Sequence, residues 1–279
     1  MAVTIAIANE KGGVGKTTTA VNLAAGLALR LADQPAAAGR VLLVDMDPQA
    51  HALLALAFGQ HLAQPADSLA ALLTETPAPS IQRLVRQAEH HPNLMFIPSQ
   101  RDSMVEAARV LPTLMANETR LARALGPVQN QFAYIIIDTP PNTGDLLINA
   151  IVACQLLVVP VETSYLGVSG LRELQRTVEA VRVHFRADLQ IFGYLPTLCE
   201  EQRSEAQEIL AELERRYPGA VLPPIHKSTD LAYAHSAHMD VFTYRPPRLR
   251  RSDQIASSSR ATQEYAALVE AVLTATAGA

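Results

Sequence analysis

Two cysteines, Cys154 and Cys199, are the only ones among the 279 residues. They stand far apart and lack metal-ligand spacing, so neither a disulfide nor a zinc site is expected. Both thiols are expected to be buried, in a reducing compartment. Basic residues do not dominate either. Lysine and arginine number 23 against 27 aspartates and glutamates, a formal net charge of −4. No global basic field draws the chain to nucleic acid or anionic lipid, and any such contact must come from a local patch. No apolar run approaches the roughly 20 residues that cross a bilayer. The first apolar segment starts at Val3, leaving no stretch for a signal peptide, and a cytoplasmic protein is expected. Internal repeats and a second-domain boundary are missing as well. With 49% hydrophobic residues, residues 1–279 are read as a single α/β domain.

What is present begins with Val3-Thr4-Ile5-Ala6-Ile7-Ala8, apolar and β-branched as a buried parallel strand requires. Thr17 to Ala32 follows with Ala20, Leu23, Ala24, Leu27 and Leu31 at helical spacing. Between them lies Asn9-Glu10-Lys11-Gly12-Gly13-Val14-Gly15-Lys16-Thr17-Thr18-Thr19. Strand, glycine loop and helix are the context of a phosphate-binding loop, here with Lys11 where its first glycine would stand. Glycine lets successive N–H groups and the helix N-terminus close on an anion. Gly12, Gly13, Val14, Gly15, Lys16, Thr17 and Thr18 are therefore candidate nucleotide contacts. Lys16 is placed to reach the β- and γ-phosphates, and Thr17 to offer its hydroxyl to Mg²⁺.

Two further segments end in carboxylates. Val41-Leu42-Leu43-Val44-Asp45 is followed by Met46-Asp47-Pro48-Gln49, and Ala133-Tyr134-Ile135-Ile136-Ile137-Asp138 by Thr139-Pro140-Pro141. A carboxylate just past the carboxyl end of a parallel strand lies where open α/β sheets bind ligands. Asp138 is the candidate Mg²⁺ residue. Asp47 is the candidate for orienting the water that attacks the γ-phosphate, although Asp45 or Asp47 can also simply cap the next turn.

The loop KGGVGKT, with its second lysine, resembles the deviant Walker A box of the ParA/MinD family, within the SIMIBI class of P-loop NTPases. LLVDMDPQ and D-T-P-P resemble that family's two switch segments. The resemblance implies a mostly parallel sheet flanked by helices and an ATPase using ATP and Mg²⁺. It implies a homodimer closing face to face, with Lys11 crossing to the partner's nucleotide, and slow hydrolysis stimulated by a ParB-like or other small activator protein. It places the adenine near Pro224. Neither N-K-x-D nor T-K-x-D occurs, which favours ATP over GTP.

Tyr244-Arg245-Pro246-Pro247-Arg248-Leu249-Arg250-Arg251 is a local basic cluster in an acidic chain. Relatives bind nucleoid DNA without sequence preference through basic residues in this region, so Arg245, Arg248, Arg250 and Arg251 are the DNA candidates, followed by Arg203, Lys227 and Arg260. The alternative is MinD-like membrane association. That would call for a basic C-terminal amphipathic helix, and no lysine or arginine follows Arg260. The cargo is not encoded in these motifs. A solvated loop is expected for His90-His91. Single helices are expected over Met104–Leu125, with a break at Pro112, and over Ser164–Phe185.

Overall fold

The computed structural model describes residues 1–34, 39–56, 65–200, 202–245 and 259–277. Strands β1 (Val3–Ile7), β2 (Val41–Asp45), β3 (Arg86–Gln87), β4 (Leu94–Phe96), β5 (Tyr134–Asp138), β6 (Leu156–Glu162) and β7 (Gln190–Thr197) form one sheet in the order β3-β4-β2-β5-β1-β6-β7. Every pairing is parallel except β3 with β4.

Both faces are covered, which is why the central strands read as unbroken apolar runs. Alternate side chains serve opposite layers. Ile5, Ile7, Leu43 and Ile136 pack with helix α1 (Lys16–Arg30) and the C-terminal helix Arg260–Thr276, whose Tyr265, Leu268 and Val272 are buried there. Ala6, Leu42, Val44, Ile135 and Ile137 pack on the other side, against the helices Leu69–Thr74, Arg101–Val110, Arg120–Leu125, Asp145–Ala153 and Leu171–His184. The fold class is as expected from the sequence.

The helix expected over Met104–Leu125 breaks at Pro112, as expected, and the one expected over Ser164–Phe185 is split. Helix Arg101–Val110 passes into a 3₁₀ turn at Leu111–Thr113, because Pro112 offers no N–H to continue the ladder. Ser164–Phe185 is split into Tyr165–Ser169 and Leu171–His184. Gly167 lies so close to the chain that an added Cβ would come within 2.1 Å of the Glu162 carbonyl oxygen. Helices at Asp145–Ala153 and Thr229–Ser236 were not foreseen.

The connections place a crevice. From β1 the chain crosses one face to β2, on the far side of β5; from β5 it crosses the other face to β6, on the far side of β1. Successive crossovers diverge above the carboxyl ends of β1 and β5, the position where such sheets bind ligands. Register makes the ends level, with Ile7 paired to Asp138 and Asp45 to Asp138.

Candidate nucleotide site

The loop from Asn9 to Gly15 is held at several points. Buried Asn9 donates from Nδ2 to the Pro160 carbonyl at 2.7 Å, and its Oδ1 accepts the Lys11 N–H at 3.0 Å. The Thr197 hydroxyl donates to the Val14 carbonyl at 2.9 Å, so the end of β7 supports the loop from beside it. Gly13 and Gly15 take φ of 77° and 83°, a left-handed conformation that costs glycine little and other residues much. Gly15 stands at the N-cap of α1 without a side-chain cap, and no acidic residue occupies the first turn. The helix therefore begins with N–H groups that have no intrahelical acceptor, and the positive end of its dipole faces the crevice.

Lys16 is 6% exposed, and its ammonium donates to the Lys11 carbonyl at 2.7 Å. Burial lowers its pKa, opposed by the Asp138 and Asp47 carboxylates. Asp138 is fully buried; its Oδ1 accepts the Thr139 N–H at 3.0 Å, while Oδ2 has no hydrogen-bond partner among the described residues. Burial pushes this carboxyl up to about 7, the Thr17 hydroxyl nearby favours its charged form, Asp47 opposes ionisation and Lys16 favours it. Oδ2 beside a threonine hydroxyl is a hard-oxygen pair of the kind that Mg²⁺ takes, so the residues fit that ion.

The carboxylates Asp45 and Asp47 divide their roles. Asp45 is completely buried and accepts the Asp47 N–H at 3.0 Å, the Ala52 N–H at 3.0 Å and the Leu53 N–H at 3.4 Å. It shapes the turn and starts the helix His51–Leu56. Its pKa is raised well above the usual range by burial and then by Asp138 and Asp47. Asp47 is half-exposed, and one oxygen accepts the Gln49 N–H at 2.9 Å. Its charge bears on both Lys16 and Asp138. Capping thus falls mainly to Asp45.

Lys11 forms an ion pair with Glu162, at the end of β6 of the same chain. Sequence reasoning passed over Glu162, although the rule that singled out Asp45 and Asp138, a carboxylate at the carboxyl end of a strand, applies to it equally. Thr139 was passed over too; its hydroxyl donates to the Ile7 carbonyl at 2.8 Å and ties β5 to the base of the loop. Pro224 is half-buried and precedes Ile225, whose N–H donates to Pro196 at 2.8 Å. It therefore lies along the segment that carries Thr197.

Of the DNA candidates, Arg245, Arg203, Lys227 and Arg260 are described. Arg245 is exposed, and Arg248, Arg250 and Arg251 lie outside the described residues. Arg203 and Lys227 both pair with Glu200, the latter at 2.9 Å, and Arg260 donates to Glu264 at 2.7 Å. His91 corrects the sequence reading. It is 3% exposed, with Nε2 at 2.6 Å from Asp240 Oδ2. The partner lies 149 residues away, so no local pattern announced it. Cys154 and Cys199 are both buried and are not joined in a disulfide. No group of three or more histidines, cysteines, aspartates or glutamates among the described residues is arranged to hold a metal ion.

Residues 2–191 match the AAA domain family. The sporulation initiation inhibitor protein Soj of Bacillus subtilis is 36% identical over 243 residues, 87% of this chain and 91% of its own. The chain belongs to the ParA/Soj family. The chromosome partitioning protein ParA of Myxococcus xanthus is 36% identical over 214 residues, covering 75% of this chain and 69% of its own. Among solved structures, the cobyrinic acid a,c-diamide synthase of Mycobacterium smegmatis with bound ATP analog and magnesium is 26% identical, with a TM-score of 0.78 over 100% of this chain and 97% of that one. Apo McdA of Cyanothece shares the fold, with a TM-score of 0.79 at 24% identity over 98% and 100% of the two chains.

Proposed function

We propose that this ParA-family protein is an ATP-hydrolysing switch that dimerises on ATP, binds duplex DNA without sequence preference and segregates or positions a cargo. The observation that carries the nucleotide half is the partnerless Oδ2 of buried Asp138, set beside Thr17 and Lys16 at the uncapped start of α1. The N–H groups of Gly12 to Thr18 would cradle the phosphates, and Lys16 would exchange the Lys11 carbonyl for β- and γ-oxygens. Thr17 and Asp138 would hold Mg²⁺, which when bound offsets charge between the β- and γ-phosphates. Asp47 would orient the attacking water, and the Pro224 segment would pack on the adenine.

For Lys11 to reach the nucleotide of a second subunit, its ion pair with Glu162 must open. Both partners are about one-third exposed, with side-chain exposures of 29% and 33%. Such a pair contributes about 0.2–1 kcal/mol, so a triphosphate outcompetes it readily.

The DNA half rests on the arginine cluster and on the family. A few arginines per monomer make weak, salt-sensitive contacts, and a dimer doubles them on one rigid body. A small activator would then stimulate hydrolysis and release the complex from the nucleoid. Membrane association is the weaker reading. No helix among the described residues is long and apolar enough to cross a bilayer, and the C-terminal helix carries no cation after Arg260.

The test is a mobility shift on arbitrary duplex DNA at low and moderate salt. Binding is expected with ATP, not with ADP, and to fall steeply with salt. Arg248, Arg250 and Arg251 changed together to glutamate should abolish it while ATP-dependent dimerisation survives. Equal binding with either nucleotide would remove the switch, and a triple variant that still binds would move the DNA surface elsewhere.

A further inference from the structure

The segment that leads into the arginine cluster is tied to the first turn of α1 through the buried side chain of Asn22. Asn22, 4% exposed, lies on α1 one turn past Thr18. Its Nδ2 donates to the Thr18 carbonyl at 2.7 Å, and its Oδ1 accepts the Val241 N–H at 2.7 Å. One side chain therefore spans the first turn of the nucleotide helix and a chain segment 219 residues further on.

That segment, Asp240 to Tyr244, is pinned on its other sides as well. Asp240 Oδ1 accepts the N–H groups of Phe242 at 2.9 Å and Thr243 at 3.0 Å. Asp240 Oδ2 meets His91 Nε2 at 2.6 Å and accepts the Thr243 hydroxyl at 2.8 Å. The Val241 carbonyl accepts the Thr262 hydroxyl at 3.2 Å, from the C-terminal helix. Arg245 is the next residue after this braced stretch. A buried asparagine satisfied at both ends cannot follow one neighbour without pulling the other, since either lost bond leaves an orphan in an apolar setting.

We propose that Asn22 is a positioning residue, seconded by the His91–Asp240 pair, through which the phosphate loop sets the placement of residues 240–245. Any movement of the first turn of α1 as Thr17 and Thr18 engage phosphate reaches Val241 through two 2.7 Å hydrogen bonds. Ligands shift such an element only as far as they bind its two arrangements differently, so ATP and ADP must differ at this turn. The inference rests on the DNA reading for its consequence but not for its mechanics.

The experiment is amide hydrogen exchange on the full-length protein with Mg–ATP, Mg–ADP and no nucleotide. With ATP, exchange at residues 241–245 is expected to slow by about threefold or more together with that at residues 11–19. In Asn22→Leu, similar in size but unable to accept from Val241, protection at 11–19 should persist and that at 241–245 should vanish. The ATP-over-ADP preference for duplex DNA should fall towards one at the same time. Should Asn22→Leu fail to fold, His91→Leu carries the test, with His91→Gln as the conservative variant that restores coupling.

Native protein protected by ATP only at residues 11–19, or variants that keep full protection at 241–245, would overturn the link. Native protein that shows the link yet ignores DNA would leave the link standing and remove the DNA reading instead.

Discussion

The carboxyl ends of β1, β2 and β5 and the strap from Asp240 to Arg245 are built on opposite plans. At the strand ends each important side chain is supplied by the residues next to it: Asp45 and Asp138 end their strands in register, and Lys16 follows the loop it serves. In the strap each side chain depends on residues from remote parts of the chain, namely Asn22, His91 and Thr262. Such side chains are placed once strand and turn form, although Pro160, Thr197 and Thr139 brace the loop itself from afar. A remotely braced strap is only as firm as three separate contacts, and so it is the part that a ligand elsewhere can move.

The largest expected effect tests the first plan. Lys16→Ala removes about two charge-assisted hydrogen bonds to phosphate, at about 1.5–3 kcal/mol each, so ATP affinity should fall by about 100-fold or more. Calorimetric titration reads this directly, and a loss below tenfold would deny Lys16 the phosphate role.

Asp138 gives the next effect, with a defined pH sense. Its folded pKa, about 7, lies above the ordinary carboxyl value of 3.8. Between those limits the folded state holds a proton that the unfolded state has lost, so this group makes stability fall as pH rises from about 4 to about 7. A bound Mg²⁺ needs the carboxylate ionised, so its binding there releases a proton. The rise in Tm given by Mg–ATP should therefore be larger at pH 8 than at pH 6. Asp138→Asn should raise stability without ligand at neutral pH and lose most of the Mg²⁺ dependence. Melting curves at the two pH values decide it, and a flat response in the native protein would break the assignment.

Asp47 and Lys11 come third, because both should spare ATP binding. Asp47→Ala should lower turnover by about 10²–10⁴-fold, the usual weight of a group handling a proton or water, and trap the ATP dimer. Lys11→Ala should bind ATP as a monomer and sediment as one. Unchanged turnover in the first, or ATP-dependent dimers in the second, would send the role to another residue.

The contrast between the two regions also explains what was legible in the sequence. The loop, the two switch carboxylates and the parallel core follow from short-range rules, because apolar runs, glycine positions and strand-end acids are neighbours in sequence. Glu162 obeyed the same rule and was missed only because no phosphate motif adjoined it. His91 and Asn22 were illegible for a different reason. A histidine before a proline, and a polar residue in an Ala-rich helix, acquire meaning only through Asp240 and Val241, more than 140 residues away. Helix Asp145–Ala153 has mostly apolar residues and little amphipathic contrast, with Leu146, Leu147, Ala150 and Ile151 all buried. A buried helix of that kind carries no solvent-facing stripe to betray its period.

The smallest effect probes where the two plans meet. Gly26, on α1 one turn beyond Asn22, faces both the strap and the C-terminal helix. A Cβ there would lie 2.6 Å from Val269 Cγ2 and 2.8 Å from Phe242 Cε2. Gly26→Ala gains about 1 kcal/mol of helix propensity, set against about 1–3 kcal/mol for overpacking. Val269 is 1% exposed on a packed helix and cannot retreat, whereas Phe242 is half-buried in the strap. The strain should therefore be relieved by the strap. A net loss of about 1 kcal/mol would lower Tm by about 2–4 °C, with ATP affinity unchanged. Exchange at residues 241–245 should rise even without nucleotide. If those amides stay protected while Tm falls, the C-terminal helix has yielded instead, and the strap is as firmly set as the phosphate loop.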